Sequence, residues 1–210
     1  MEFRDLVEHR VSIRQFLPEP VDPDDVREMV RLAGLAPSPN NTQPWQFIAV
    51  SRRTLLRDMA AAVHRRLEVL LPEPADDEAR RAGRRVDRFS TFFAEAPLVV
   101  AVVLQPYTSV IQSALGDSGL TGARVNAMRG YPDVQSVGAA VEHLLLAADE
   151  MGYGGCWLTG PLVARPALQK LLGIEAPARL AAMVAIGRPK PPRPQRRGRK
   201  GLRETLRFID

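Results

Sequence analysis

Ala36-Pro37-Ser38-Pro39-Asn40-Asn41-Thr42-Gln43-Pro44-Trp45 runs directly into Gln46-Phe47-Ile48-Ala49-Val50. The first part is rich in Pro and Asn, which form turns; from Trp45 to Val50 the chain alternates and is rich in strand formers, which predicts a half-buried strand. The loop also presents side-chain amides, groups that donate and accept hydrogen bonds at once. Upstream stands Arg10-Val11-Ser12-Ile13-Arg14, with two guanidinium groups and a hydroxyl in five residues. That is a good set for holding a phosphate.

Residues 2 to 9 read as a short amphipathic helix with Phe3, Leu6 and Val7 on one side. Asp22 is placed to cap a helix over about 23 to 35, with Pro23 at its first position and Val26, Met29, Val30 and Leu35 at helical spacing. Leu55 to Leu71 reads as helical. Pro72 to Arg88 is charged and Ala-rich, which suits an exposed helix or lid and points to no particular chemistry. Pro97 to Leu104 is an apolar run short enough for a central strand. In Pro106 to Pro132, Gly116, Gly119, Gly122 and Gly130 break any period. From Asp133, Val137, Val141, Leu144, Leu145 and Ala148 predict a long buried helix to about Met151, and Gly138, Ala139 and Ala140 leave room for another helix to approach. Ala181 to Ile186 reads as a last core strand, and Arg188 to Arg203 as a Pro- and Arg-rich extension. No Gly-x-Gly-x-x-Gly follows a strand, so a doubly wound dinucleotide fold is not supported. An α+β sandwich remains.

The 210 residues suit one domain, residues 1 to 210, with 45% hydrophobic and 25% charged residues as in soluble globular chains. The longest apolar stretch falls far short of the roughly 20 residues that span a bilayer. The charged start of the chain lacks a secretory core, so a cytoplasmic protein is expected. One cysteine, Cys156, excludes an internal disulfide, and His9, His64 and His143 make no metal-ligand spacing; no metal is expected. The net charge of +5 is interleaved with 24 acidic residues and accompanied by no nucleic-acid-binding motif, so no nucleic acid and no membrane partner are expected.

The Arg10 to Arg14 and Ala36 to Trp45 segments together resemble the flavin-binding signature of the nitroreductase family. Further landmarks follow in that family's order: Gly152-Tyr153-Gly154-Gly155-Cys156-Trp157-Leu158-Thr159-Gly160, then Leu171-Leu172-Gly173-Ile174, then Ala181 to Pro189 and a basic tail. The resemblance implies a three-layer sandwich, a central mostly antiparallel sheet flanked by helices. It also implies an intertwined homodimer with FMN at the subunit interface, where 106 to 132 would cover the flavin or reach the partner.

By that resemblance, Arg10 and Ser12, flanking Val11, hold the FMN phosphate, and Arg14 places a cation near the pyrimidine edge of the ring. Such a cation favours the negative charge that builds there on two-electron reduction. Asn41 bonds that edge, within a loop formed by Pro37, Ser38 and Pro39 and followed by Gln43; Trp45 is core. The Gly154 to Pro161 segment, with Leu158, Thr159 and Gly160 as its cofactor-binding residues, lays backbone against one flavin face, with a main-chain N–H of Thr159 or Gly160 toward N5. Cys156 is a structural neighbour. In the tail Arg199, then Lys200 and Arg197, supply a further cation to the phosphate. The implied activity is a ping-pong transfer of electrons from NADH or NADPH through FMN to a nitroaromatic, a quinone or a similar small acceptor, with no catalytic side chain required. The alternatives are a dehalogenating, ene-reducing or flavin-fragmenting branch of the superfamily, or a non-catalytic flavin-binding protein.

Overall fold

Trp45–Val50 is the strand its alternation predicts, β1, at one edge of a four-stranded sheet. Next to it runs β2 (Leu98–Leu104), then β4 (Arg179–Gly187), with β3 (Gly154–Leu158) at the far edge; every neighbouring pair is antiparallel. The computed structural model describes residues 2–116 and 118–209.

β2 is buried along its whole length, so its sequence is an unbroken apolar run. Its residues sort by parity between two layers. Leu98, Val100, Val102 and Leu104 pack with Met29 of α2 (Pro23–Ala33) and Val137, Val141 and Leu144 of α7 (Pro132–Glu150). Val99 and Ala101 pack with Leu56, Met59 and Val63 of α3 (Arg53–Leu70) and Leu168 of α8 (Arg165–Leu172). The result is an α+β sandwich of helix, sheet and helix. Between β2 and β4 the register slips: Val102 faces Ala182 but Val103 faces Leu180. Ala181 is the extra residue of a bulge, and it packs on the α7 side together with Ala182.

Asp22 caps α2 as its sequence predicts, its carboxylate accepting from the Asp24 N–H at 2.8 Å, with Pro23 at the first position. The helix stops at Ala33, short of Leu35. The charged stretch after Leu71 becomes α4 (Asp77–Thr91), capped by Asp76 and packed on α3. The segment 106 to 132 breaks at its glycines into α5 (Val110–Leu115) and α6 (Gly122–Met128), started by the hydroxyls of Ser109 and Thr121. α1 (Phe3–His9) leans on α7, but its apolar side is not covered within the chain: none of its residues is buried and Phe3 is 73% exposed. The tail is extended apart from α9 (Leu202–Thr205). Among the described residues no helix is long and apolar enough to cross a membrane.

Candidate functional site

The Arg10 to Arg14 segment emerges from the end of α1 and lies along β3. Ser12 bridges Gly155 in parallel fashion, and the Ile13 N–H donates to the Gly155 carbonyl at 3.0 Å. Gly154 lets the two backbones come this close, since a Cβ there would fall 2.4 Å from Ile13 Cγ1. On the other side the tail continues the pairing: the Leu17 N–H donates to the Arg188 carbonyl at 2.9 Å and the Lys190 N–H to the Gln15 carbonyl at 3.0 Å. Arg196 gathers the last carbonyls of α1, donating to Glu8 at 3.0 Å, to Arg10 at 3.1 Å and to Val7. Those carbonyls have no partner inside the helix. Arg193 joins the buried Asp149 carboxylate, which also meets His9 Nδ1 at 2.7 Å. The segment is thus fixed from both flanks.

Of its side chains, Arg14 meets the end of β3 at a cavity of about 1480 Å³, lined by Arg14, Cys156, Leu158, Thr159, Gly160 and Arg197, with α3 and α4 forming the opposite wall. A second cavity of about 770 Å³ shares Arg14, Arg88, Phe89 and Phe92 with it and adds Ser12. The Arg14 guanidinium sits 5.7 Å from the centre of the Phe89 ring, a cation–π distance. Burial pushes the Cys156 thiol up, opposed by the charge of Arg14, by hydrogen bonding from Ser12 and Arg14, and by the charge of Arg10. The buried thiol is therefore surrounded by all three polar residues of the segment, and an inert structural thiol is what burial favours. Arg10 has its Nε 3.4 Å from Glu142 of α7. Gly160 is held against α4, because a Cβ there would lie 2.9 Å from the buried Ser90 Oγ.

The Pro37 to Gln43 loop is built differently. Asn40, Asn41 and Gln43 have φ of 54°, 52° and 46°, a left-handed conformation that Asn tolerates better than most residues. Cross-bonds hold it: the Gln43 N–H donates to Ser38 Oγ at 3.0 Å, the Asn41 N–H to the Ser38 carbonyl at 3.0 Å, and Gln43 Nε2 to Asn41 Oδ1 at 3.2 Å. Pro39 begins its 3-10 turn, Pro39–Asn41. Thr42 Oγ1 is buried and has no partner among the described residues. Trp45 packs against the α2 and α7 core.

Within one chain the loop and the cavity stand apart. The loop feeds β1, whereas Leu158 to Gly160 leave β3, on the opposite sheet edge. Three inter-strand spacings, about 14 Å, separate those edges. None of the residues from Pro37 to Gln43 lines either cavity. In the tail Arg197 lines the larger cavity, while Arg199 and Lys200 line neither.

One feature of the cavity wall is not singled out by the sequence reading: Arg81, Arg84, Arg85 and Arg88 of α4. Their spacing of three and four residues was the available signal, hidden because that stretch reads as a solvated charge run. On the same wall His64 lies 2.8 Å from Asp87 and 3.4 Å from Glu68; the hydrogen bond to Asp87 raises its pKa.

The chain is similar to known proteins over most of its length. The model of the nitroreductase family matches residues 7–188. A 5,6-dimethylbenzimidazole synthase of Rhodospirillum rubrum is 30% identical over 199 residues, covering 91% of this chain and 86% of that protein. Among solved structures, a BluB-like flavoprotein from Clostridium difficile 630 superposes with a TM-score of 0.88 at 30% identity, over 100% of both chains. An iodotyrosine deiodinase bound to FMN and 3-iodo-L-tyrosine has the same fold, with a TM-score of 0.71 at 24% identity over 99% of this chain and 98% of that one.

Proposed function

The chain belongs to the nitroreductase family, and we propose that it is an FMN-dependent oxidoreductase, taking electrons from NADH or NADPH and delivering them to a nitroaromatic, a quinone or a similar small acceptor. The observation that carries this reading is the convergence of Arg14, Cys156 and the Leu158 to Gly160 turn on one cavity, with Ser12 alongside. FMN, when bound, supplies the two-electron chemistry between nicotinamide and acceptor.

The residues present suit that group. Arg10 and Ser12 offer a cation and a hydroxyl for a phosphate, and Arg14 offers an exposed cation at the cavity itself. A cation at the ring edge favours negative charge developing there. Thr159 and Gly160 line the cavity, so their backbone would lie along a flat ligand bound there. The loop of Pro37, Ser38, Pro39, Asn41 and Gln43 would reach the ring from a second copy of the chain, since its own copy holds it at the far sheet edge. Arg199 and Lys200 would add charge near the phosphate only by a shift of the tail, whereas Arg197 already lines the cavity.

A homodimer is supported by apolar side chains that the single chain leaves uncovered: Phe3, Met128, Leu202, Phe208 and Ile209 are each 68–84% exposed. Surface of that kind favours burial against another protein.

The visible spectrum of the purified protein, before and after FMN addition and desalting, tests the cofactor. Retained flavin that bleaches anaerobically with NADH or NADPH supports the proposal; a colourless folded protein after FMN addition overturns it. A second reading, flavin fragmentation, is favoured by the likeness to the dimethylbenzimidazole synthase. Aerobic incubation with FMN and NADPH, followed by chromatography for 5,6-dimethylbenzimidazole, separates the two.

A further inference from the structure

Arg81, Arg84, Arg85 and Arg88 occupy positions i, i+3, i+4 and i+7 of α4 and so share one stripe of the helix. All four line the larger cavity. Among the described residues none of them has a carboxylate partner, whereas Arg80, on the neighbouring face, is paired with Asp77. The acids on the same wall, Asp87 and Glu68, are engaged with His64 instead. Like charges three and four residues apart repel along a helix. A stripe of this kind costs α4 stability unless an anion lies against it.

The flavin phosphate already has Arg10, Ser12 and Arg197 proposed for it, so the four α4 arginines are charge beyond what that phosphate calls for. The space also exceeds one ligand: about 1480 Å³, against the ~300–1,000 Å³ typical of a small-molecule site. On the α4 side half-exposed Phe89 adds an aromatic surface beside the arginines. Guanidinium groups bind carboxylate and phosphate through paired hydrogen bonds.

We infer that the α4 arginine stripe is an anion subsite, which selects a substrate carrying a carboxylate or phosphate for the electron transfer proposed above. The inference rests on the flavin reading for its reaction, but not for its binding. Two sources offer the anion: the acceptor, or the additional phosphate that distinguishes NADPH from NADH.

Calorimetric titration of the purified, FMN-treated protein separates them. The probes are 4-nitrobenzoate against 4-nitrobenzyl alcohol, and NADP⁺ against NAD⁺, at low ionic strength, for the wild type and for Arg84→Gln with Arg85→Gln. Glutamine keeps the helix propensity of arginine, and Arg81→Gln with Arg88→Gln serves as the second variant if the first fails to fold. The expected result is that one anionic probe binds more tightly than its neutral or less charged counterpart by about tenfold or more, the effect of one charge-assisted hydrogen bond, and that the variants erase this ratio. A ratio in the nitrobenzoate pair assigns the anion to the acceptor; a ratio in the nucleotide pair assigns it to the donor. Equal binding in both pairs, or a ratio that survives both variants, overturns the subsite. Anion selectivity in a protein that retains no flavin leaves the subsite standing and removes the flavin reading; flavin retention without selectivity does the reverse.

Discussion

Gly154→Ala should loosen the Arg10 to Arg14 segment while leaving the rest of the fold in place. Gly154 has no left-handed φ, so the backbone accepts alanine and the whole effect comes from packing. The added Cβ would meet Ile13 Cγ1 at 2.4 Å, Ile13 Cβ at 2.9 Å and Pro189 Cγ at 3.0 Å. Ile13 is fully buried, and its Cβ cannot rotate away. Either β3 or the segment must therefore shift. Overpacking of this kind costs about 1–3 kcal/mol, and a chain of this size loses about 2–4 °C per kcal/mol, so Tm should fall by roughly 2–12 °C.

The shift would carry Ser12 and Arg14 with it. Losing one charge-assisted hydrogen bond to FMN should weaken binding by about ten- to a hundredfold, as read by quenching of flavin fluorescence. Gly155→Ala is the comparison: its Cβ would meet Leu145 Cδ2 at 2.7 Å, the tip of a side chain that can turn aside, so both effects should be smaller. Combining Gly154→Ala with Ile13→Ala should cost less than the sum of the two by more than about 0.5 kcal/mol. Unchanged Tm and unchanged FMN affinity in Gly154→Ala, or strict additivity in the double variant, would refute the packing argument.

Arg10→Ala with Ser12→Ala should release FMN on desalting while circular dichroism stays unchanged; undiminished affinity rejects their assignment to the phosphate. Arg14→Ala should lower the two-electron potential of bound flavin, by about 30 mV for each 1.4 kcal/mol of lost charge stabilisation, in a dye-equilibration titration. His64 has its pKa raised above 6.5 by the hydrogen bond to Asp87, so its contribution to stability is full below about pH 6.5 and is lost as pH rises through the raised value. His64→Gln should therefore destabilise more at acidic than at alkaline pH in urea titrations, by a small and salt-sensitive amount because the pair is exposed. Arg193→Ala leaves the buried Asp149 carboxylate with only His9, and should cost about 1–3 kcal/mol in the same titrations.

The elements legible in the sequence are those whose pattern is local. Trp45 to Val50 is legible because successive side chains point to opposite faces of the sheet, Trp45 and Phe47 toward the α2 and α7 layer and Ile48 and Val50 toward the α3 and α8 layer, and Asp22 followed by Pro23 marks a helix start by its own chemistry. The stretch from 106 to 132 was opaque because its two helices are short and are started by Ser109 and Thr121 rather than by any apolar period. α1 shows the converse: Phe3, Leu6 and Val7 announce an apolar side, and the fold of a single chain leaves it open. The bulge at Ala181 could not be read from Ala181-Ala182, since two alanines suit either face of the sheet. At the site, the order of the motifs is plain but their spacing in space is not. Strand order β1-β2-β4-β3, which no periodicity encodes, puts the Asn41 loop and the Gly160 turn on opposite edges.

That separation gives the chain's termini a common purpose in the proposed dimer. The Arg10 to Arg14 segment has its conformation only when three distant parts have met: α1 from the start, β3 late in the chain, and the tail from Arg188 to Arg196, which pairs with Gln15 and Leu17 and gathers the α1 carbonyls. Beyond that tie, Leu202, Leu206, Phe208 and Ile209 are uncovered, 50–84% exposed, on a strand of chain that its own copy does not fold against. In the proposed dimer, a tail that anchors the Arg10 to Arg14 segment on one side and offers apolar side chains on the other would link flavin binding to association. Covering those side chains would steady the tail, and a steadier tail would hold Arg10, Ser12 and Arg14 in place. The loop around Asn41, already cross-bonded and left-handed at three positions, would then arrive from the partner with its conformation set, so that little ordering entropy opposes closing the site.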